Sequence, residues 1–125
     1  MKKMFFLCLF LAVSGFGYSY PRLMIGTYQL SGSNSKWDIG AYQGEVTIYP
    51  QGENFRVVWR IGSNQSQAGI GILYNDVLSV AYCDSSNTAW GIAVFRLLAD
   101  GELEGRWASF NGTTQKPEYL IWKGY

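Results

Sequence analysis

The chain has 125 residues, 48% of them hydrophobic, 17% aromatic and only 15% charged, with a formal net charge of +1 and no histidine. That length and apolar content favour one small folded domain and exclude a disordered polyelectrolyte, which lacks the apolar surface needed to offset the entropy of ordering. The absence of histidine excludes the Ser-His-Asp triad, the Cys-His dyad and zinc sites that contain histidine.

The N-terminal segment has the layout of a secretory signal peptide, with two lysines, an apolar run at 4–13 and small residues after it. A run of about ten residues is too short to cross a hydrocarbon core about 30 Å thick, so we expect cleavage rather than anchoring. Cleavage after Ser19 is favoured over cleavage after Gly17. We therefore predict an exported protein, periplasmic or extracellular, with a leader at 1–19 and a single domain at 20–125.

Cleavage of the leader changes the charge and the cysteine count. The remaining chain has eight basic and nine acidic residues, a net charge of −1, so it has no basic excess for nucleic acid. Cys83 is its only thiol, which excludes an intrachain disulfide. We expect no nucleic-acid partner and no membrane insertion after cleavage.

After the leader, short runs that alternate apolar and polar residues are separated by turn residues, and no run shows a helical period. This pattern predicts antiparallel β-strands. In the third run, for example, Phe55, Val57 and Trp59 share one face while Arg56 and Arg60 share the other. The eight predicted strands cover residues 26–30, 42–49, 55–61, 65–73, 77–83, 90–98, 103–109 and 118–122.

The sixth run is apolar on both faces except at Arg96, which shares a side with Trp90. If that side faces inward, the guanidinium is buried and requires a carboxylate or carbonyl partner. After this run, the dipeptide Asp100-Gly101 predicts a two-residue turn that joins the sixth and seventh runs as a hairpin.

Eight short strands joined mostly by short turns favour antiparallel pairing between neighbours in sequence. An open sheet would leave two edges free to pair with other chains, and closure removes them. Glycines inside the runs are typical of barrel bends and close approaches, and they lie at Gly44, Gly69, Gly71, Gly91 and Gly105. We therefore predict an all-β, eight-stranded antiparallel up-and-down barrel, with a two-sheet β-sandwich as the alternative.

A resemblance rests on the order of strand and turn residues: Gly26-Thr27-Tyr28, Tyr42-x-Gly44-x-Val46-x-Ile48, Phe55-x-Val57-x-Trp59-x-Ile61-Gly62, Gly69-x-Gly71, Leu78-x-Val80 and Gly101-x-Leu103-x-Gly105-x-Trp107. In this order the chain resembles a family of small exported bacterial domains, some of them labelled fibronectin-binding. It also resembles the calycin group of avidin-like and lipocalin-like barrels, which implies a closed barrel. Tyr28 stands where the calycin group has tryptophan, so no biotin or lipid site is transferred.

Aromatic residues are the candidate binding residues, because they supply a large contact area together with one polar atom. Some lie in or beside predicted loops and suggest a binding mouth, whereas others lie inside strands and either fill the barrel or line a ligand cavity. The predicted ligand-binding residues are Trp37, Tyr42, Trp59, Tyr82, Trp90 and Trp107.

Acidic residues offer the only candidate catalytic pair, because glycoside hydrolysis needs two carboxylates about 5–10 Å apart. Glu102 and Glu104 flank the predicted hairpin, but that placement is also expected of a solvated edge. The aspartates lack the spacing of a calcium loop. We predict no catalytic residues, no metal site and no cofactor.

These observations predict an exported, non-catalytic binding module that recognises a host or envelope macromolecule, either protein or glycan, through loop aromatics. One alternative is a carrier with a small apolar ligand inside the barrel. A second alternative is a carboxylate or cyclase-like enzyme, and the oligomeric state stays open. An interior that is open and lined by Trp59, Tyr82 and Trp107 favours a bound small molecule over surface recognition.

Overall fold

A computed structural model describes residues 22–125, so the predicted leader lies outside the described residues. Eight strands form one closed barrel in which each strand pairs antiparallel with its neighbours in sequence, and the first pairs with the last. The predicted barrel is confirmed, and the β-sandwich alternative is wrong. The strands are β1 (Gly26–Ser31), β2 (Gln43–Gln51), β3 (Asn54–Ile61), β4 (Gln65–Tyr74), β5 (Val77–Asp84), β6 (Trp90–Leu97), β7 (Leu103–Ser109) and β8 (Lys116–Gly124).

The alternation of side chains along each strand explains the barrel. In β5, Leu78, Val80 and Tyr82 are buried while Ser79 and Ala81 between them are exposed, as a period of two requires. Burying one large apolar side chain contributes about 1.5–3 kcal/mol, so this face directs closure. The largest fully buried side chains are Tyr28, Phe95, Leu30, Ile48, Leu78, Leu103, Leu120, Val46 and Val57.

Aromatic residues close the seam between β1 and β8. Tyr28, where the calycin resemblance expects tryptophan, is fully buried and lies opposite Trp122. Its hydroxyl donates a hydrogen bond to the carbonyl of Met24 at 2.6 Å, and burial raises the pKa of Tyr28 to about 12. Trp122 Nε1 donates to the carbonyl of Ile25 at 3.1 Å. These two hydrogen bonds attach the segment before β1, at Met24 and Ile25, to the barrel.

The side of β6 that carries Arg96 faces the outside of the barrel. Arg96 is exposed and forms an ion pair with Glu104 on β7, directly across the ladder. The guanidinium therefore needs no buried partner. The inward side of β6 is filled by Ala93, Phe95 and Leu97, all of them buried.

The hairpin between β6 and β7 is one residue longer than the predicted two-residue turn. The amide of Gly101 donates to the carbonyl of Leu98 at 3.0 Å, and the amide of Leu98 donates to the carbonyl of Glu102 at 2.9 Å. Gly101 has a φ of +88°. The loop is thus a turn followed by a glycine in a positive-φ conformation, which is the usual three-residue hairpin.

The two ends of the barrel differ in their connections. One end carries two-residue turns at 52–53 and 75–76 together with the hairpin just described. The other end, called the loop end below, carries the connections at 32–42, 62–64, 85–89 and 110–115. Residues 22–125 include no helix of the length and apolarity needed to span a bilayer.

Candidate functional site

A cavity of about 420 Å³ lies inside the barrel at the loop end. We call it the mouth cavity. Four of its lining residues are large aromatics, and one is a buried carboxylate. The lining residues are Ala41, Tyr42, Trp59, Ile61, Gln65, Gln67, Tyr82, Trp107, Lys116 and Glu118.

Small residues on neighbouring strands make room for these aromatics. Tyr82 on β5 lies opposite Gly91 on β6, and a side chain at Gly91 would overlap the tyrosine ring. Trp107 on β7 lies opposite Ala93. The rings of Tyr82 and Trp107 are therefore placed beside positions that do not compete for the same volume, and interior space remains at this level of the barrel.

Glu118, near the start of β8, lies at the centre of a hydrogen-bond network. Trp59 Nε1 donates to its Oε1 at 3.0 Å, and the Tyr42 hydroxyl donates to its Oε2 at 2.8 Å. The same hydroxyl accepts a hydrogen bond from Trp107 Nε1 at 2.6 Å. Glu118 is only 3% exposed, so the network replaces the water that a carboxylate would otherwise bind.

Burial dominates the electrostatics of the mouth cavity. It raises the pKa of Glu118, although the hydrogen bonds from Trp59 and Tyr42 act in the opposite direction. Burial and the adjacent Glu118 together raise the pKa of Tyr42 and of Tyr82, so both tyrosines keep their protons at neutral pH. The ion pairs formed within residues 22–125 do not include Glu118.

The six predicted binding residues fall into two groups. Tyr42, Trp59, Tyr82 and Trp107 line the mouth cavity, and the rings of Trp59 and Tyr82 pack with their centroids 5.4 Å apart. The other two, Trp37 and Trp90, are absent from its lining, being 85% and 54% exposed on the outside of the barrel.

Glu118 is missing from the predicted site, although the sequence contained a signal for it. In the last predicted strand it alternates with Leu120 and Trp122, which places all three on one face. That face also carries the most apolar residues of the strand, so it is the one expected to point inward. A carboxylate in this position is a candidate for a buried functional group.

The two carboxylates of the candidate catalytic pair have other partners. Glu102 accepts hydrogen bonds from the Tyr119 hydroxyl at 2.6 Å and from Lys36 Nζ at 3.2 Å. Glu104 is paired with Arg96 on the outer surface. Within residues 22–125, no cluster of three or more His, Cys, Asp or Glu side chains is arranged to hold a metal ion.

Besides the mouth cavity, the barrel has an apolar area on the outside of β4 and β6, here called the outer apolar surface. It consists of Ile70, Ile72, Ile92 and Val94, which are 43–66% exposed. They line a groove of about 480 Å³ on the barrel wall, which also includes Arg106.

Comparisons with protein-family models, curated proteins and solved structures find no match to this chain. The resemblance to exported fibronectin-binding-type and calycin-like domains therefore remains a prediction. The structure by itself establishes an eight-stranded antiparallel barrel whose loop end contains an aromatic cavity with a buried carboxylate.

Proposed function

We propose that this protein is a small-molecule-binding protein that holds its ligand in the mouth cavity. The observation that carries the proposal is the convergence of four aromatic side chains and the buried Glu118 on one cavity. At about 420 Å³, the cavity is within the range of about 300–1,000 Å³ that is usual for small-molecule sites. Apolar walls with one buried polar group are also the usual composition of such sites.

The hydrogen-bond inventory of the network indicates which ligand groups fit. Both indole N–H groups, on Trp59 and Trp107, and the Tyr42 hydroxyl already donate within the network. A carboxylate has about four acceptor positions, and Glu118 uses two of them. A ligand that donates hydrogen bonds therefore suits the network better than one that only accepts them.

Binding is favoured over hydrolysis because the mouth cavity has a single carboxylate in its lining. Two-carboxylate chemistry needs a second acid about 5–10 Å from the first, and the other charged lining residue is Lys116. The cavity offers walls and one acceptor group, which is enough to hold and orient a ligand.

Native mass spectrometry of the protein purified from its own host tests the proposal. We expect a retained mass that is lost in Gln67→Trp, because the new indole occupies the mouth cavity. Gln51→Trp is the matched control, since Gln51 is exposed at the opposite end of the barrel. A mass retained equally by both variants, or a wild-type protein without any retained mass, would contradict the proposal.

The second candidate function is recognition of a host or envelope macromolecule on the outside of the barrel. It is favoured by the outer apolar surface and by the exposed Trp90, which lies on the same outward face of β6 as Ile92. Binding to immobilised fibronectin is a suitable assay, because the family that this chain resembles includes domains with that label. We expect Ile92→Asp to abolish binding, whereas Thr47→Asp on the outer face of β2 preserves it.

A further inference from the structure

The mouth cavity contains a carboxylate whose charge has no counterion in the described part of the chain. Both of the hydrogen bonds to Glu118 come from neutral donors, an indole and a phenol. Lys116 also lines the cavity but is exposed and forms no ion pair with Glu118. Buried charges in proteins are normally paired, because taking an unpaired ion out of water is costly.

The walls around this carboxylate also favour positive charge. Aromatic rings carry partial negative charge on their faces and attract cations within about 6 Å of the ring centroid. Tyr42, Trp59, Tyr82 and Trp107 all line the cavity with Glu118. The N–H groups of the two tryptophans are directed at the network rather than left free for an anion.

From these two observations we propose that the ligand of the mouth cavity is a small organic cation of the alkylammonium class. Its charged group contacts Glu118 and the surrounding aromatic rings. This inference rests on the proposed function, because it names the chemical class of ligand for the same cavity.

The two charged residues of the cavity, Glu118 and Lys116, should have opposite effects on the affinity for a cation. Glu118 attracts a cation, and its burial limits screening by solvent. Lys116 repels the cation weakly, since its exposed ammonium is screened. Removing the first charge should weaken binding, whereas removing the second should strengthen it.

The test is calorimetric titration of the intact protein with choline and with 3,3-dimethylbutan-1-ol, its neutral isostere. We expect choline to bind about tenfold more tightly or better, the difference that about 1.4 kcal/mol of cation recognition produces. Glu118→Gln should reduce the preference to the part that the aromatic rings supply, and Lys116→Gln should increase choline affinity. Glu104→Gln is the matched control, because Glu104 lies on the outer surface with Arg96.

The wild-type comparison decides the question even if Glu118→Gln does not fold. Equal affinity for choline and its isostere overturns the inference while leaving a small-molecule site in place. No saturable binding of choline or phenyltrimethylammonium also overturns it. The proposed function is judged separately, by the mass retained in the host-purified protein and its loss in Gln67→Trp.

Discussion

The Tyr42 hydroxyl joins both halves of the network, so Tyr42→Phe is the most informative single change. The substitution removes the donor to Glu118 Oε2 and the acceptor for Trp107 Nε1. A hydrogen bond to a charged group contributes about 1.5–3 kcal/mol, and an unsatisfied donor costs about 1–3 kcal/mol. Because Trp107 is only half-buried, the lower part of that second range applies.

We therefore expect Tyr42→Phe to lower the free energy of unfolding by about 3 kcal/mol, measured by urea denaturation at neutral pH. This corresponds to a fall in Tm of about 12 °C or more for a domain of this size. Tyr49→Phe is the control, since Tyr49 is 43% exposed on the outer face of β2 and should change stability by less than about 0.5 kcal/mol. Equal effects of the two substitutions would refute the network as a stabilising element. At low pH, where Glu118 is protonated, the loss in Tyr42→Phe should shrink because the acceptor is then neutral.

Three further predictions concern pH, packing and the surface tryptophans. Burial raises the pKa of Glu118, so the folded state binds its proton more tightly than the unfolded state does, and ionising it opposes folding. As pH rises above 4.5, the ordinary pKa of a glutamate, and through the raised pKa of Glu118, the wild type should lose stability relative to Glu118→Gln. Urea titrations at several pH values measure this, and a stability difference between the two proteins that does not change with pH would contradict it. Gly105→Ala should lower stability by about 1–3 kcal/mol, because the new methyl group overlaps the Phe95 ring and the strand backbone. Its thermal unfolding can be compared with that of Gly52→Ala, where space is open and only the positive φ of +63° opposes the change. Alanine at Trp37 or Trp90 should weaken macromolecule binding without lowering Tm, and a loss of fold would count against a surface role.

The barrel itself could be predicted from the sequence because its determinants are local. Strict alternation in runs such as 55–61 and 77–83 defines strands and their inward faces, and turn residues define where strands end. The strand count then favours closure, since an open sheet leaves two edges. The hairpin at 98–102 was mispredicted by one residue because the same Asp-Gly pair also suits a three-residue loop.

The composition of the mouth cavity was harder to predict because it depends on closure. Tyr42 and Glu118 are 76 residues apart in the chain and meet only because β8 returns beside β1. Trp59, Tyr82 and Trp107 were predictable as inward-facing, since each alternates with outward residues along its strand. Trp37 was not, because the loop at 32–42 has no periodicity that determines where its side chains point.

Packing differs between the two levels of the barrel, and this difference supports a binding role for the loop end. Towards the short-turn end, Ile48, Leu78 and Leu103 are fully buried, so hydrophobic burial is most complete there. At the loop end, the chain instead places a carboxylate that is 97% shielded and rings that leave about 420 Å³ open. Well-packed apolar residues often stabilise a fold as much as a buried charge does, or more. Stability alone therefore does not account for a buried carboxylate at Glu118, whereas the ligand recognition proposed above gives it a role.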